Sequence, residues 1–165
     1  MIRIVLVEPE IPQNAGNIMR TCAATGTELY LVKPLGFQLD DKHYKRAGLD
    51  YFEYSTVRVV DSFNDLKNAF PTTPFFYATT KAPRAHTDAK FPSDCFIVFG
   101  KESYGLSETI LKNNYDNCIR IPMKKETRSL NLATSVGIIL FEALRQNNFP
   151  GLSDEGQLTG RIEND

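Results

Sequence analysis

Residues 119–145 read I-R-I-P-M-K-K-E-T-R-S-L-N-L-A-T-S-V-G-I-I-L-F-E-A-L-R. An apolar strand built on Cys118, Ile119 and Ile121 stops at Pro122, and a basic loop follows with Lys124, Lys125 and Arg128. The chain then enters a helix whose first turn carries Ser129, Asn131 and Thr134. The first N–H groups of a helix lack partners within it and lie at the positive end of its dipole, so an amide-rich turn there can hold an acidic or polar ligand group. The helix body, with Val136, Ile138, Ile139, Leu140, Phe141, Ala143 and Leu144, is apolar on nearly every side. That is the pattern of a helix covered by protein all round. In a chain this short it implies that a partner subunit covers one side.

Upstream, apolar runs alternate with helical ones. Ile2–Val7, Glu28–Val32, Val57–Val60, residues 74–78 and Cys95–Phe99 read as strands, and their continuous apolar character suits a sheet buried on both faces. Helices are predicted over about 14–24, ended by Gly26, over 40–47, over 62–70 with Ser62 as N-cap, and from Ser107 to about Asn113. The fold class that follows is α/β, a mostly parallel doubly wound sheet with helices on both faces. In such sheets ligands sit beyond the carboxyl ends of the strands.

At 165 residues, 42% hydrophobic and 24% charged, the chain has the composition of one globular domain, expected over 1–151, with 152–165 as a loosely held tail. No run approaches the ~20 apolar residues that cross a bilayer, and the N-terminus goes straight into I-R-I-V-L-V. The expectation is therefore neither signal peptide nor membrane anchor, and a cytoplasmic protein. Cys22, Cys95 and Cys118 have no Cys-x-x-Cys spacing and lie in apolar stretches, where a thiol behaves as a small hydrophobe. A net charge of −1 gives no global sign of a nucleic-acid partner. Basic residues nevertheless cluster at 42–46, 81–84 and 124–128. Each cluster alone reads as a solvated loop; three at strand ends read as a phosphate-facing rim, provided the fold brings them together.

Three stretches begin where a strand gives out and present small or polar residues. The first is E-I-P-Q-N-A-G-N-I-M-R, residues 10–20. Asn14 there reads either as a helix cap or as an amide offered to a ligand, and Arg20 either as a surface residue or as a functional one. The second is F-G-K-E-S-Y-G-L-S, residues 99–107, in which Glu102 replaces the middle glycine of the dinucleotide fingerprint Gly-x-Gly-x-x-Gly. An acid at that point would repel a pyrophosphate and favour a cationic or hydroxylated ligand. The third is the opening stretch, where Ile121, Pro122 and Met123 form an apolar wall and residues 129–131 a polar floor, a pairing that suits an adenine ring with its ribose. No metal site is expected, because His43 and His86 lie in separate loops without zinc-ligand spacing. Neither a Gly-x-Ser-x-Gly elbow nor a Walker-type phosphate loop occurs.

Taken together, P-E-I-P-Q-N-A-G-N-I-M-R-T-C-A-A-T-G, F-G-K-E-S-Y-G-L-S and I-R-I-P-M-K-K-E-T-R-S-L-N-L-A-T-S-V-G resemble the three motifs of the SPOUT superfamily of RNA methyltransferases. Leu35-Gly-Phe-Gln-Leu-Asp-Asp-Lys and Arg46-Ala-Gly-Leu-Asp-Tyr narrow the resemblance to its short, single-domain branch, which methylates the ribose 2′-hydroxyl of nucleotide 34 in tRNA. The resemblance implies S-adenosylmethionine as methyl donor, a homodimer, a tRNA anticodon stem-loop as partner, and a trefoil knot in the C-terminal part. It also implies roles. Ala78, at a position more often leucine, with Gly100, Ile121, Met123, Ser129 and Leu130, would form the cofactor bed. Arg20 would serve the 2′-hydroxyl, with Asn14 and Asn131 in the catalytic geometry and Glu102, Lys124 and Arg128 towards the RNA. A non-catalytic nucleotide- or RNA-binding module on the same scaffold is the alternative, and a nucleotide-dependent oxidoreductase is a further one that Glu102 argues against.

Overall fold

A computed structural model describes residues 1–39, 56–153 and 155–158. The predicted helix over 40–47, the basic cluster 42–46, His43 and the motif residues 40–42 and 46–51 lie outside the described residues.

Six strands form one sheet: β1 (Ile2–Val7), β2 (Glu28–Val32), β3 (Val57–Val60), β4 (Phe75–Ala78), β5 (Cys95–Phe99) and β6 (Cys118–Ile119). Their order is β3-β2-β1-β5-β4-β6, and every pairing is parallel. Alternate side chains of each strand enter opposite layers, which is why the strands are apolar throughout rather than at every second position. Ile4, Leu6, Leu29, Leu31, Ile97 and Phe99 face one layer, closed by α1 (Pro12–Thr25) through Ile18, Met19 and Cys22. Val5, Tyr30, Val32, Phe96 and Val98 face the other, under α2 (Phe63–Ala69) and α3 (Glu108–Lys112), which contribute Leu66 and Leu111. The last helix, α4 (Leu132–Gln146), returns from the β6 edge to the middle of the sheet and joins the α1 layer with Val136, Ile139, Leu140, Ala143 and Leu144.

Several boundaries differ from the sequence reading, each for a local reason. α1 starts at Pro12, two residues early, because proline at the first helical position gives up an N–H that had no partner anyway. α4 starts at Leu132 rather than at Ser129: Asn131 is its N-cap, accepting from the Thr134 N–H at 3.2 Å, so Ser129 and Leu130 belong to the preceding loop. β6 ends at Ile119, and Arg120 instead pairs with the loop after β4 through its N–H to Arg84 O at 3.0 Å and its carbonyl to the His86 N–H at 2.8 Å. α4 is not covered all round within the chain; Ile138 and Phe141 are 37% and 48% exposed on its outer side.

The strand order reverses between β1 and β5, the topological switch point at which doubly wound sheets open a crevice. Because all six strands run the same way, the turns after β1, β4, β5 and β6 emerge at one rim.

Candidate active site

At that rim a cleft of about 530 Å³ opens over the carboxyl ends of β4, β5 and β6. Its lining draws on the three remote stretches at once: Ile11 and Asn14 from the start of α1, Phe99 to Gly105 after β5, and Ile121, Met123 and 128–132 around the entrance to α4. Ala78 to Lys81 complete it from β4. Asn14, Ala78, Gly100, Glu102, Ile121, Met123, Arg128, Ser129, Leu130 and Asn131 therefore meet in one place. Arg20 and Lys124 are not among the lining residues. Arg20 lies two turns along α1 on a face with Gln13 and Asn17 that is exposed in the single chain.

Polar side chains tie the stretches together. Glu102 accepts hydrogen bonds from the Glu10 N–H at 2.8 Å, the Ile11 N–H at 3.2 Å and Asn14 Nδ2 at 3.0 Å. α1 has no side-chain cap of its own, so this carboxylate, from more than 85 residues away, supplies the negative charge that its N-terminus favours. Asn14 is thus not the cap of its own helix. Its Oδ1 accepts from Asn131 Nδ2 at 2.9 Å, and Asn131 Oδ1 in turn accepts from the Thr134 N–H. Each amide has its oxygen and its nitrogen assigned by a different neighbour, which leaves one orientation for both. Asn14 is only 7% exposed, and a buried amide with an unpaired end would be costly.

A second pair of contacts fixes the turn after β5. Glu8, at a φ of 53°, aims its carboxylate at Lys101 Nζ, 2.8 Å away. Glu10 accepts from both the Ser103 N–H and Ser103 Oγ at 2.9 Å. Those two bonds hold the Glu10 carboxyl below its ordinary range, and the Glu8 carboxylate raises the Lys101 ammonium above its own. Gly100 lets this turn close: a Cβ there would sit 2.0 Å from the Gly105 carbonyl carbon and 2.2 Å from Leu106 N. Lys81 pairs with Glu108 at the cleft edge.

The lining combines apolar side chains (Ile121, Met123, Leu130, Ile139) with the small residues Ala78, Thr79 and Gly100 and with Ser129 and Ser135. That mixture suits a ligand with a heteroaromatic end and a polar one, at a volume typical of small-molecule sites. Burial pushes the Cys22 and Cys95 thiols up to about 12 and also raises Cys118, which disfavours the thiolate at all three. Among the described residues no group of three or more His, Cys, Asp or Glu side chains could hold a metal ion, and no helix is long and apolar enough to cross a membrane.

The sequence reading did not single out Glu8, Glu10, Ser103 or Tyr104. Glu8 and Glu10 stand beside the first motif, but nothing local says that their partners lie more than ninety residues on.

Comparison with known proteins places this cleft in context. A tRNA (cytidine(34)-2′-O)-methyltransferase of Methylovorus glucosotrophus is 46% identical over 152 residues, spanning 92% of this chain and 99% of that protein. A solved structure described as giving insight into 2′-OH methylation of C/U34 on tRNA is 42% identical, covers 90% of this chain and 97% of its own, and superposes with a TM-score of 0.84. An AdoMet-bound rRNA methyltransferase of Sinorhizobium meliloti is 25% identical with a TM-score of 0.74, over 87% of this chain and 56% of that one. The SpoU rRNA methylase family model matches residues 1–141. With its three motif stretches gathered at one rim of a parallel sheet and that match across most of its length, the chain belongs to the SpoU rRNA methylase family.

Proposed function

We propose that this chain transfers a methyl group from S-adenosylmethionine to the ribose 2′-hydroxyl of nucleotide 34 in tRNA, working as a cytoplasmic homodimer whose C-terminal part is knotted. The observation that carries the reading is the single cleft in which Glu102, Asn14 and Asn131, one from each motif, are bonded in series. The relatives named for C34 methylation align over nearly their full length, which supports the tRNA substrate and position.

The cleft suits the donor. Its apolar wall would take the adenine, and the backbone at Ala78 and Gly100 with Ser129 and Leu130 would take the ribose and the polar end. S-adenosylmethionine, when bound, supplies a methyl carbon made electrophilic by the adjacent sulfonium. The chain's own work is then to place an acceptor oxygen in line with that carbon, a positional effect worth several kcal/mol. Asn14 and Asn131, locked by their neighbours, set the floor of the cleft against which the ribose is positioned. Arg128 at the cleft and Lys124 outside its lining meet phosphates, and Glu102 reaches the substrate through Asn14.

The acceptor hydroxyl must also lose its proton. A guanidinium is a poor base but a good partner for a developing alkoxide, and that is the role of Arg20. Because Arg20 lies outside the cleft lining of its own chain, it serves the cleft of the partner protomer. The exposed Ile138 and Phe141 on α4 give the assembly an apolar contact.

The deciding experiment incubates the protein with methyl-labelled S-adenosylmethionine and tRNA, then maps the product. Label on the 2′-oxygen of nucleotide 34 is the expected result. Binding of both ligands without transfer would favour the non-catalytic module, and label at another nucleotide would overturn the assigned position.

A further inference from the structure

We propose that Tyr104 is the platform on which the nucleobase of the acceptor nucleotide stacks while its ribose is in the cleft, an inference that rests on the RNA 2′-O-methyl-transfer reading above. Among the described residues two aromatic side chains line the cleft, Phe99 and Tyr104. Phe99 is 2% exposed and belongs to the core, whereas Tyr104 is 83% exposed. Among the described lining residues, then, Tyr104 alone offers an open aromatic face.

A single exposed tyrosine is unremarkable on most surfaces. This one stands on a turn that the fold makes stiff. Ser103 on one side is held by Glu10 through two bonds at 2.9 Å, and Gly105 on the other donates its N–H to Lys101 O at 2.8 Å. Leu106, next along, is buried at 3% exposure. The backbone under the ring is therefore fixed at both ends, and little of its freedom remains to be lost on binding.

The chemistry asks for such a surface. A ribose can enter a cleft of this size only if its nucleotide leaves the stack of its neighbours, and the base then loses the stacking it had. An aromatic side chain restores a partner for either face without reading base identity. Such a platform would hold cytidine and uridine alike, since they differ at the pyrimidine edge but share the ring face.

A double-mutant cycle tests the pairing directly. Affinity is measured for an anticodon stem-loop RNA carrying either its normal base or an abasic ribose at nucleotide 34, with the parent protein and with Tyr104→Ala. Tyr104→Ala should weaken binding of the intact RNA by about fivefold to 150-fold, the range of one base–aromatic stack, and should change binding of the abasic RNA by less than about twofold. Tyr104→Phe should match the parent, and S-adenosylmethionine affinity by calorimetry should be the same in all three proteins. Equal losses on intact and abasic RNA would overturn the proposal, as would a matching loss of cofactor affinity or a change in sedimentation. A parent that binds the RNA but transfers no methyl group removes the enzymatic reading, and the cycle in affinity still decides the platform.

Discussion

At the scale of single residues the site depends on a few side chains whose polar atoms are all spoken for. Glu102 is the hub, accepting from two backbone N–H groups and from Asn14. A glutamine there keeps the shape but turns an NH₂ towards donors, so Glu102→Gln should destabilise the fold by about 1–3 kcal/mol in urea unfolding. It should also lower methylation at least about tenfold by releasing Asn14; unfolding and rates equal to the parent's would refute this. Glu10 gives a pH signature. Its carboxyl is held low in the folded protein by Ser103, so its contribution is present above the ordinary carboxylate pKa and is lost as pH falls through the depressed folded value. The Ser103 amide resonance should accordingly shift on the acid side of the normal glutamate range, and Glu10→Gln should abolish that titration while leaving the rest of the spectrum in place.

At the scale of elements the turn after β5 is the most constrained piece of the cleft. Gly100→Val would force a side chain into backbone 2.0 Å away, which the turn can relieve only by opening. The expected result is at least about tenfold weaker S-adenosylmethionine binding by calorimetry, with far-ultraviolet dichroism close to the parent's because residues 100–106 lie between β5 and α3 and belong to no helix or strand; unchanged binding would show that the turn does not shape the cofactor bed. The elements themselves were well marked in the sequence, since buried parallel strands are uninterrupted apolar runs. Ile2–Val7, Glu28–Val32, Val57–Val60 and Cys95–Phe99 have the bounds that their composition indicates. Two helix starts were read from their caps, Ser62 and Ser107, whereas those of α1 and α4 were displaced, because Pro12 and Asn131 decide them by local chemistry rather than by hydrophobic period. The gathering of Asn14, Gly100 and Ser129 was readable through motif likeness, whereas the bonds that join Asn14 to Glu102 and Asn131 were not. Their partners are 88 to 117 residues apart, and no local pattern records such a pairing.

At the scale of the whole molecule, the placement of Arg20 outside its own cleft makes cooperation between protomers testable. Arg20→Ala and Asn131→Ala variants of the proposed homodimer should each lose at least about tenfold in methylation rate. Unfolded and reassembled together, they should recover a fraction of parent activity, since a mixed dimer restores one cleft with both groups. No recovery would place Arg20 in service of its own chain. The basic stretches at 81–84 and 124–128 should make RNA affinity fall with salt, by a slope of about 0.7–0.9 per neutralised phosphate on logarithmic axes; a flat dependence would remove them from the interface. The bond between Asn14 and Asn131 has one more consequence. A chain that stops before α4 lacks Asn131 and cannot form this bond, so the floor of the cleft closes only once residue 131 is in place.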